Sequence, residues 1–143
     1  MPLSTARIRR FANMAAQPGS CSYNEANKAR FHKDGKAICR QLVKLMGLEK
    51  GQYNLRSNMG GIAVSGEVTL HTDGVYFQLS QSAVAGLEVM YRKCKDQKDY
   101  TGGRNRWMKF ADLCDLEAVA KRLKIIHDAP NDQMADIALR EAA

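Results

Sequence analysis

The dipeptide Asp73-Gly74 lies between two alternating runs, EVTLHT and VYFQLS, and no other stretch constrains the chain as tightly. This pattern predicts a two-residue type I′ hairpin, in which Gly74 supplies a positive φ at no steric cost and Asp73 tolerates one. A turn there pairs Thr72 with Val75, His71 with Tyr76, Leu70 with Phe77, Thr69 with Gln78 and Val68 with Leu79. Side chains alternate across a strand, so Val68, Leu70, Phe77 and Leu79 share an apolar face. Glu67, Thr69, His71, Tyr76, Gln78 and Ser80 share the other, which is expected to be wet. A slip of one residue would exchange the faces, so burial and turn chemistry demand the same register. A lone hairpin is marginal in water, and the rest of the chain must cover its apolar side.

Alternation continues on both flanks. YNLRSN reads as a first strand over residues 53–58. Ile62, Ala63 and Val64 are expected to re-enter the sheet after a glycine-rich turn, with a bulge at Ser65 and Gly66. That turn matches neither GxxxxGK[ST] nor GxGxxG, so it carries little weight as a phosphate loop. Residues 81–86 read as a loop or one helical turn. LEVMYRK reads as a strand over residues 87–93, with Leu87, Val89 and Tyr91 inward and Glu88, Met90 and Arg92 outward.

Helices bracket the strands. Ser4 can cap a helix over residues 5–16, with Ile8, Phe11, Ala12 and Ala15 as a thin stripe. Arg7, Arg9 and Arg10 crowd its first turns against the helix dipole, so residues 1–20 read as a loosely held basic arm or a contact element. Asn24 caps the next helix, which Gly47 stops. Phe31, Gly35, Ile38, Leu42 and Leu45 form its apolar stripe, and Gly35 there implies close approach to the sheet. Asp112 or Asp115 caps a helix whose face is Leu116, Val119, Ala120, Leu123 and Ile126. Residues 128–143 read as a weak C-terminal helix or tail. The whole of 1–143 reads as a single α+β domain: an antiparallel sheet of about four strands with N-terminal and C-terminal helices packed on one face.

The charge is uneven as well as positive, at +7 in all. Residues 1–52 carry ten Lys/Arg against three Asp/Glu (+7), 53–86 one against two (−1), 87–107 six against three (+3) and 108–143 five against seven (−2). Such asymmetry points to an anionic partner, or to a solubilising surface. Lys33, Lys36, Arg40 and Lys44 recur along one flank of the second helix, a ridge that costs helix stability unless it answers a partner. Residues 94–107 lack apolar periodicity, and long loops are often functional. There Lys95, Lys98, Arg104 and Arg106 alternate with Tyr100, near Arg92, as phosphate and base contacts. Trp107, followed by Met108 and Phe110, is expected to be core. Arg56, His71, Tyr76 and Gln78 are candidate contacts on the open sheet face.

Catalytic patterns are scarce. His32, His71 and His127 fall on three elements, no nucleophile elbow frames a serine, and no carboxylate pair suggests a metal nuclease. Cys21, Cys39, Cys94 and Cys114 lack zinc-ligand spacing and read as reduced thiols. No cofactor or metal is expected. No apolar run approaches a membrane span, and residues 1–17 lack the apolar core of a secretory signal, so a cytoplasmic location is expected. No RRM, KH, zinc-finger or helix-turn-helix pattern is evident. The composition therefore supports a small, basic, non-enzymatic nucleic-acid-binding accessory protein, DNA or RNA, with little sequence readout. The alternatives are an interaction module docking on an acidic protein, and an enzyme acting on a phosphorylated substrate. Homodimerisation through a free sheet edge is open under any of these.

Overall fold

The computed structural model describes residues 3–81 and 87–143. Its centre is one antiparallel sheet in strand order β1 (Tyr53–Asn58), β2 (Glu67–Thr72), β3 (Val75–Ser80), β4 (Val89–Lys93) and β5 (Arg106–Met108). The fold is α+β, with five strands where about four were expected. The added strand is three residues at the end of the long loop, too short to show alternation. Ile62, Ala63 and Val64 lie in an exposed turn and do not re-enter the sheet. Most of the segment expected as a loop over 81–86 falls outside the described residues.

The central register is the expected one: Val68 opposes Leu79, Thr69 Gln78, Leu70 Phe77 and His71 Tyr76. The turn itself has a different cause. Gly74 does not adopt a positive φ. The Thr72 hydroxyl instead accepts from the Gly74 and Val75 amides at 3.1 and 2.9 Å and donates to the Val75 carbonyl at 2.9 Å. Glycine is required there because a Cβ would overlap the backbone of His127.

The apolar face of the sheet is covered by helices. α1 (Thr5–Ala15) and α2 (Glu25–Leu45) precede it; a 3₁₀ helix (Phe110–Cys114), α3 (Leu116–Asp128) and α4 (Asp132–Ala142) follow. Asn24 accepts from the Asn27 amide at 3.0 Å to start α2. Gly35 lets α2 close on the sheet: a Cβ there would stand 3.1 Å from Val68 and 3.4 Å from Leu79. Leu45, expected in the stripe, is 40% exposed, and Val43 and Met46 are buried near that end of α2.

α1 is no loose arm. Phe11 packs on Phe31 at 5.3 Å and edge-on against Phe110 at 5.8 Å, so α1, α2 and the 3₁₀ helix share one aromatic cluster. The Arg7 charge is answered inside the chain by Asp34 of α2, at 2.8 Å. α4 is likewise held, with Ala135 buried and its acids tied to the long loop. All four cysteines are free thiols, and burial pushes Cys39 and Cys94 up to about 12. Among the described residues no helix is long and apolar enough to cross a membrane.

Candidate functional site

Two surfaces gather the candidate residues, and they look in opposite directions. The first is the outer flank of α2. Gly35, Ile38 and Leu42 face the sheet, and a helix of 3.6 residues per turn puts residues 33, 36, 40 and 44 on the far side. Lys33, Arg40 and Lys44 are exposed and Lys36 is half-buried. None of the four joins an ion pair among the described residues.

The second surface is the sheet face away from the helices. Strand pairing aligns Asn54, His71, Tyr76 and Arg92 in one row, and Arg56, Thr69, Gln78, Met90 and Trp107 in the next. Arg56 and Arg92 thus share a face with His71, Tyr76 and Gln78. That face is far less open than polarity suggested: Thr69, His71 and Tyr76 are buried. The reason is the segment after β4, which folds back over it. Asp99 accepts from the amides of Lys95, Thr101 and Gly102 at 2.9, 3.1 and 2.8 Å, and these bonds hold its carboxyl below the usual range. The Arg92 guanidinium donates to the Tyr100 carbonyl at 2.6 Å and lies over the Tyr76 ring, 4.8 Å from its centre. Tyr100 and Tyr76 then meet the His71 ring edge-on, each with centroids 5.0 Å away. The Tyr76 hydroxyl donates to Gln78 at 2.9 Å.

The cations of the loop divide into two groups. Lys95 and Lys98 are exposed and outside any ion pair among the described residues. Arg104 binds Asp136 at 2.7 Å, and Arg106 binds Asp136 and Asp132 through both its terminal nitrogens. The charge of Arg106 is consumed in holding β5 to α4, with its side chain only 9% exposed. Trp107 is not core: it is 41% exposed, because pairing with Met90 turns it to the face away from the helices. Phe110 fills the core position instead.

A cavity of about 230 Å³ opens on this second surface between Arg56, Asn58, Glu67, Thr69, His71, Tyr76 and Tyr100. Glu67, Asn58 and Thr69 were not among the residues singled out as contacts. Their signal lay in the alternation, which puts them on the same face as His71. His71 is 4% exposed, and among the described residues neither ring nitrogen makes a well-formed hydrogen bond, although the Asp96 backbone stands near the ring. Burial lowers its pKa and outweighs the raising effect of the nearby Asp96 backbone, so the ring is neutral at pH 7. His32 contrasts with it: its nitrogens lie 2.7 Å from the Ser57 hydroxyl and 2.7 Å from the Ser65 carbonyl, a fully satisfied structural pair. A larger hollow of about 590 Å³ beside β5 has its polar groups occupied, with Arg122 on the Tyr91 hydroxyl and Asp115 capping α3. Among the described residues no cluster of His, Cys, Asp and Glu is arranged to hold a metal.

The class of protein defined at this point is an α+β domain with one antiparallel sheet, helices on one face and a loop-covered polar face. Compared with protein-family models, with curated proteins and with solved structures, the chain matches none.

Proposed function

We propose that this protein binds nucleic acid without catalysing a reaction, gripping the phosphate backbone through α2 with little sequence readout. The observation that carries the reading is the ridge of Lys33, Lys36, Arg40 and Lys44, four cations on one flank with no acidic partner among the described residues. A protein that only needs solubility gains nothing from placing like charges four residues apart, where each pair costs a few tenths of a kcal/mol. At 1.5 Å per residue the ridge spans roughly 16 Å, comparable with about five phosphates along one strand. Lys95 and Lys98 are exposed cations too, but they belong to the loop over the opposite face and are not part of this grip. Arg104 and Arg106 drop out of it, because Asp132 and Asp136 already neutralise them.

The test is fluorescence anisotropy with labelled single- and double-stranded DNA and RNA across a salt series. Four phosphate contacts predict a log–log salt slope between about −3 and −4. Replacing Lys36 and Arg40 together by alanine should flatten it by about 1.5. Absence of binding to every oligomer at low salt would overturn the proposal, as would a slope unmoved by the ridge variants.

A second reading, docking on an acidic protein, is favoured by a separate observation. Tyr23, Met59, Ile62 and Val64 are large apolar side chains left exposed, and the Tyr23 amide bonds the Ile62 carbonyl at 2.9 Å. Met90, although on the face away from the helices, is buried and offers no anchor. A stoichiometric protein complex together with indifference to every oligomer would select this reading.

A further inference from the structure

We propose that the cavity between β1, β2, β3 and Tyr100 receives a single nucleobase carrying an exocyclic amine, supplied by a free nucleoside or by an unstacked position of a strand. The strand form rests on the nucleic-acid reading above; the nucleoside form does not.

Size comes first. Cavities that hold drug-sized ligands run from about 300 to 1,000 Å³. The 230 Å³ here suits one flat ring system and leaves sugar and phosphate outside. Charge comes next. Arg56 and Glu67 stand on the lining without forming an ion pair with each other, so the cavity presents one group of each sign. A phosphate or carboxylate seated inside would meet the Glu67 carboxylate, and an amine cation would meet Arg56. A neutral heteroaromatic ring with donors and acceptors on adjacent atoms meets neither penalty.

Hydrogen-bond supply points the same way. His71 is neutral, so one nitrogen donates and the other accepts; both are buried, and with only the Asp96 backbone near the ring neither makes a well-formed hydrogen bond among the described residues. A buried polar group left unsatisfied costs about 1–3 kcal/mol, and such a group in a native fold calls for a specific explanation. A base edge offers an acceptor and a donor together. Glu67 can accept from an exocyclic amine, the contact carboxylates make with cytosine, which favours cytosine, adenine and guanine over uracil and thymine. Tyr100 is half exposed at the mouth and gives a plane for the ring to lie against. It is also the group that closes the face over His71.

The experiment follows the imidazole resonances of His71 by NMR on the full chain, assigned by comparison with His71→Gln. Cytidine, adenosine, guanosine, uridine and short oligomers of each base are titrated separately. Saturable movement of the His71 signals by an amine-bearing base, weaker for uridine, supports the proposal. Tyr100→Ala and Glu67→Ala alter positions that are not fully buried, and each should weaken that response about tenfold, the value of one base–aromatic stack or one base-edge bond. Movement by nucleosides but by no oligomer supports the cavity while defeating the strand reading. His71 signals unmoved by every nucleoside and oligomer overturn the proposal and mean that water alone serves the ring. Oligomer binding that leaves His71 unchanged, with the nucleosides silent as well, overturns the proposal while leaving the α2 ridge untouched. A response equally strong in both variants would do the same.

Discussion

Replacing Arg7 should cost more than replacing its partner Asp34, although both changes break the same bond. Both the Nε and an Nη of Arg7 reach one Asp34 carboxylate oxygen at 2.8 Å. The two ends differ in environment: the Asp34 side chain is 7% exposed and that of Arg7 33%. Arg7→Met leaves a carboxylate in the core with no cation. Breaking a buried pair from one side costs about 3–5 kcal/mol, and the partial exposure of Arg7 brings the expected loss nearer 2 kcal/mol. Asp34→Leu leaves a guanidinium that can swing into water, at about 1 kcal/mol. With both replaced no charge is stranded, so the double variant should lose about 1 kcal/mol or less.

Urea unfolding of the four proteins in a double-mutant cycle measures this directly, provided the m-values agree. The expected coupling is about 2 kcal/mol. Arg7→Met alone should lower Tm by roughly 6–8 °C for a chain of this length. Additive losses, or a larger loss for Asp34→Leu, would refute the reasoning. Either result would mean that α1 is not docked on α2 through this pair.

Three further outcomes follow from the same contacts. Burial holds both His32 and His71 below their ordinary value of 6.5, so the unfolded chain binds more protons just below that pH. Stability is full above pH 6.5 and falls as pH drops toward the lowered values; Tm measured from pH 8 to 5 should show this, and a His32→Gln/His71→Phe variant with an equal decline would contradict it. Gly74→Ala and Gly74→Asn should cost the same, about 1–3 kcal/mol, because both collide with the His127 backbone; tolerance of Asn alone would restore the type I′ turn. Asp99→Ala should speed amide exchange at Lys95, Thr101 and Gly102 and expose His71 with little change in Tm, and unchanged exchange would show that other contacts order the loop.

What could be read from the letters was whatever is decided locally. The hairpin register follows from a period of two over twelve residues and a turn between them, and it held at every pair from Val68 to Tyr76. Gly35 was legible for a similar reason, since a glycine inside an apolar stripe has few uses other than close approach. Gly74 was not. Its position was right and its cause was wrong, because the group that excludes a side chain there is the His127 carbonyl, from a distant helix.

The polar face shows the same boundary between local and remote causes. Alternation says that Thr69, His71 and Tyr76 look away from the helices; it cannot say that Asp99, through three backbone amides, folds a loop over them. Residues 94–107 show no apolar periodicity, yet an aspartate followed by glycines, as in DYTGG, is also how a loop closes on itself. Cations divide along the same line. The α2 ridge has one acid within its own helix turns, Asp34, and the letters could not say that Arg7 of α1 takes it. Arg104 and Arg106 were counted as free because their partners, Asp132 and Asp136, lie in the segment whose charge was tallied separately as −2. The +3 of residues 87–107 and the −2 of residues 108–143 meet across β5 and α4, and part of each is spent there. The surplus not offset in this way is that of α1 and α2, which makes α2 the first place to mutate in testing the nucleic-acid proposal.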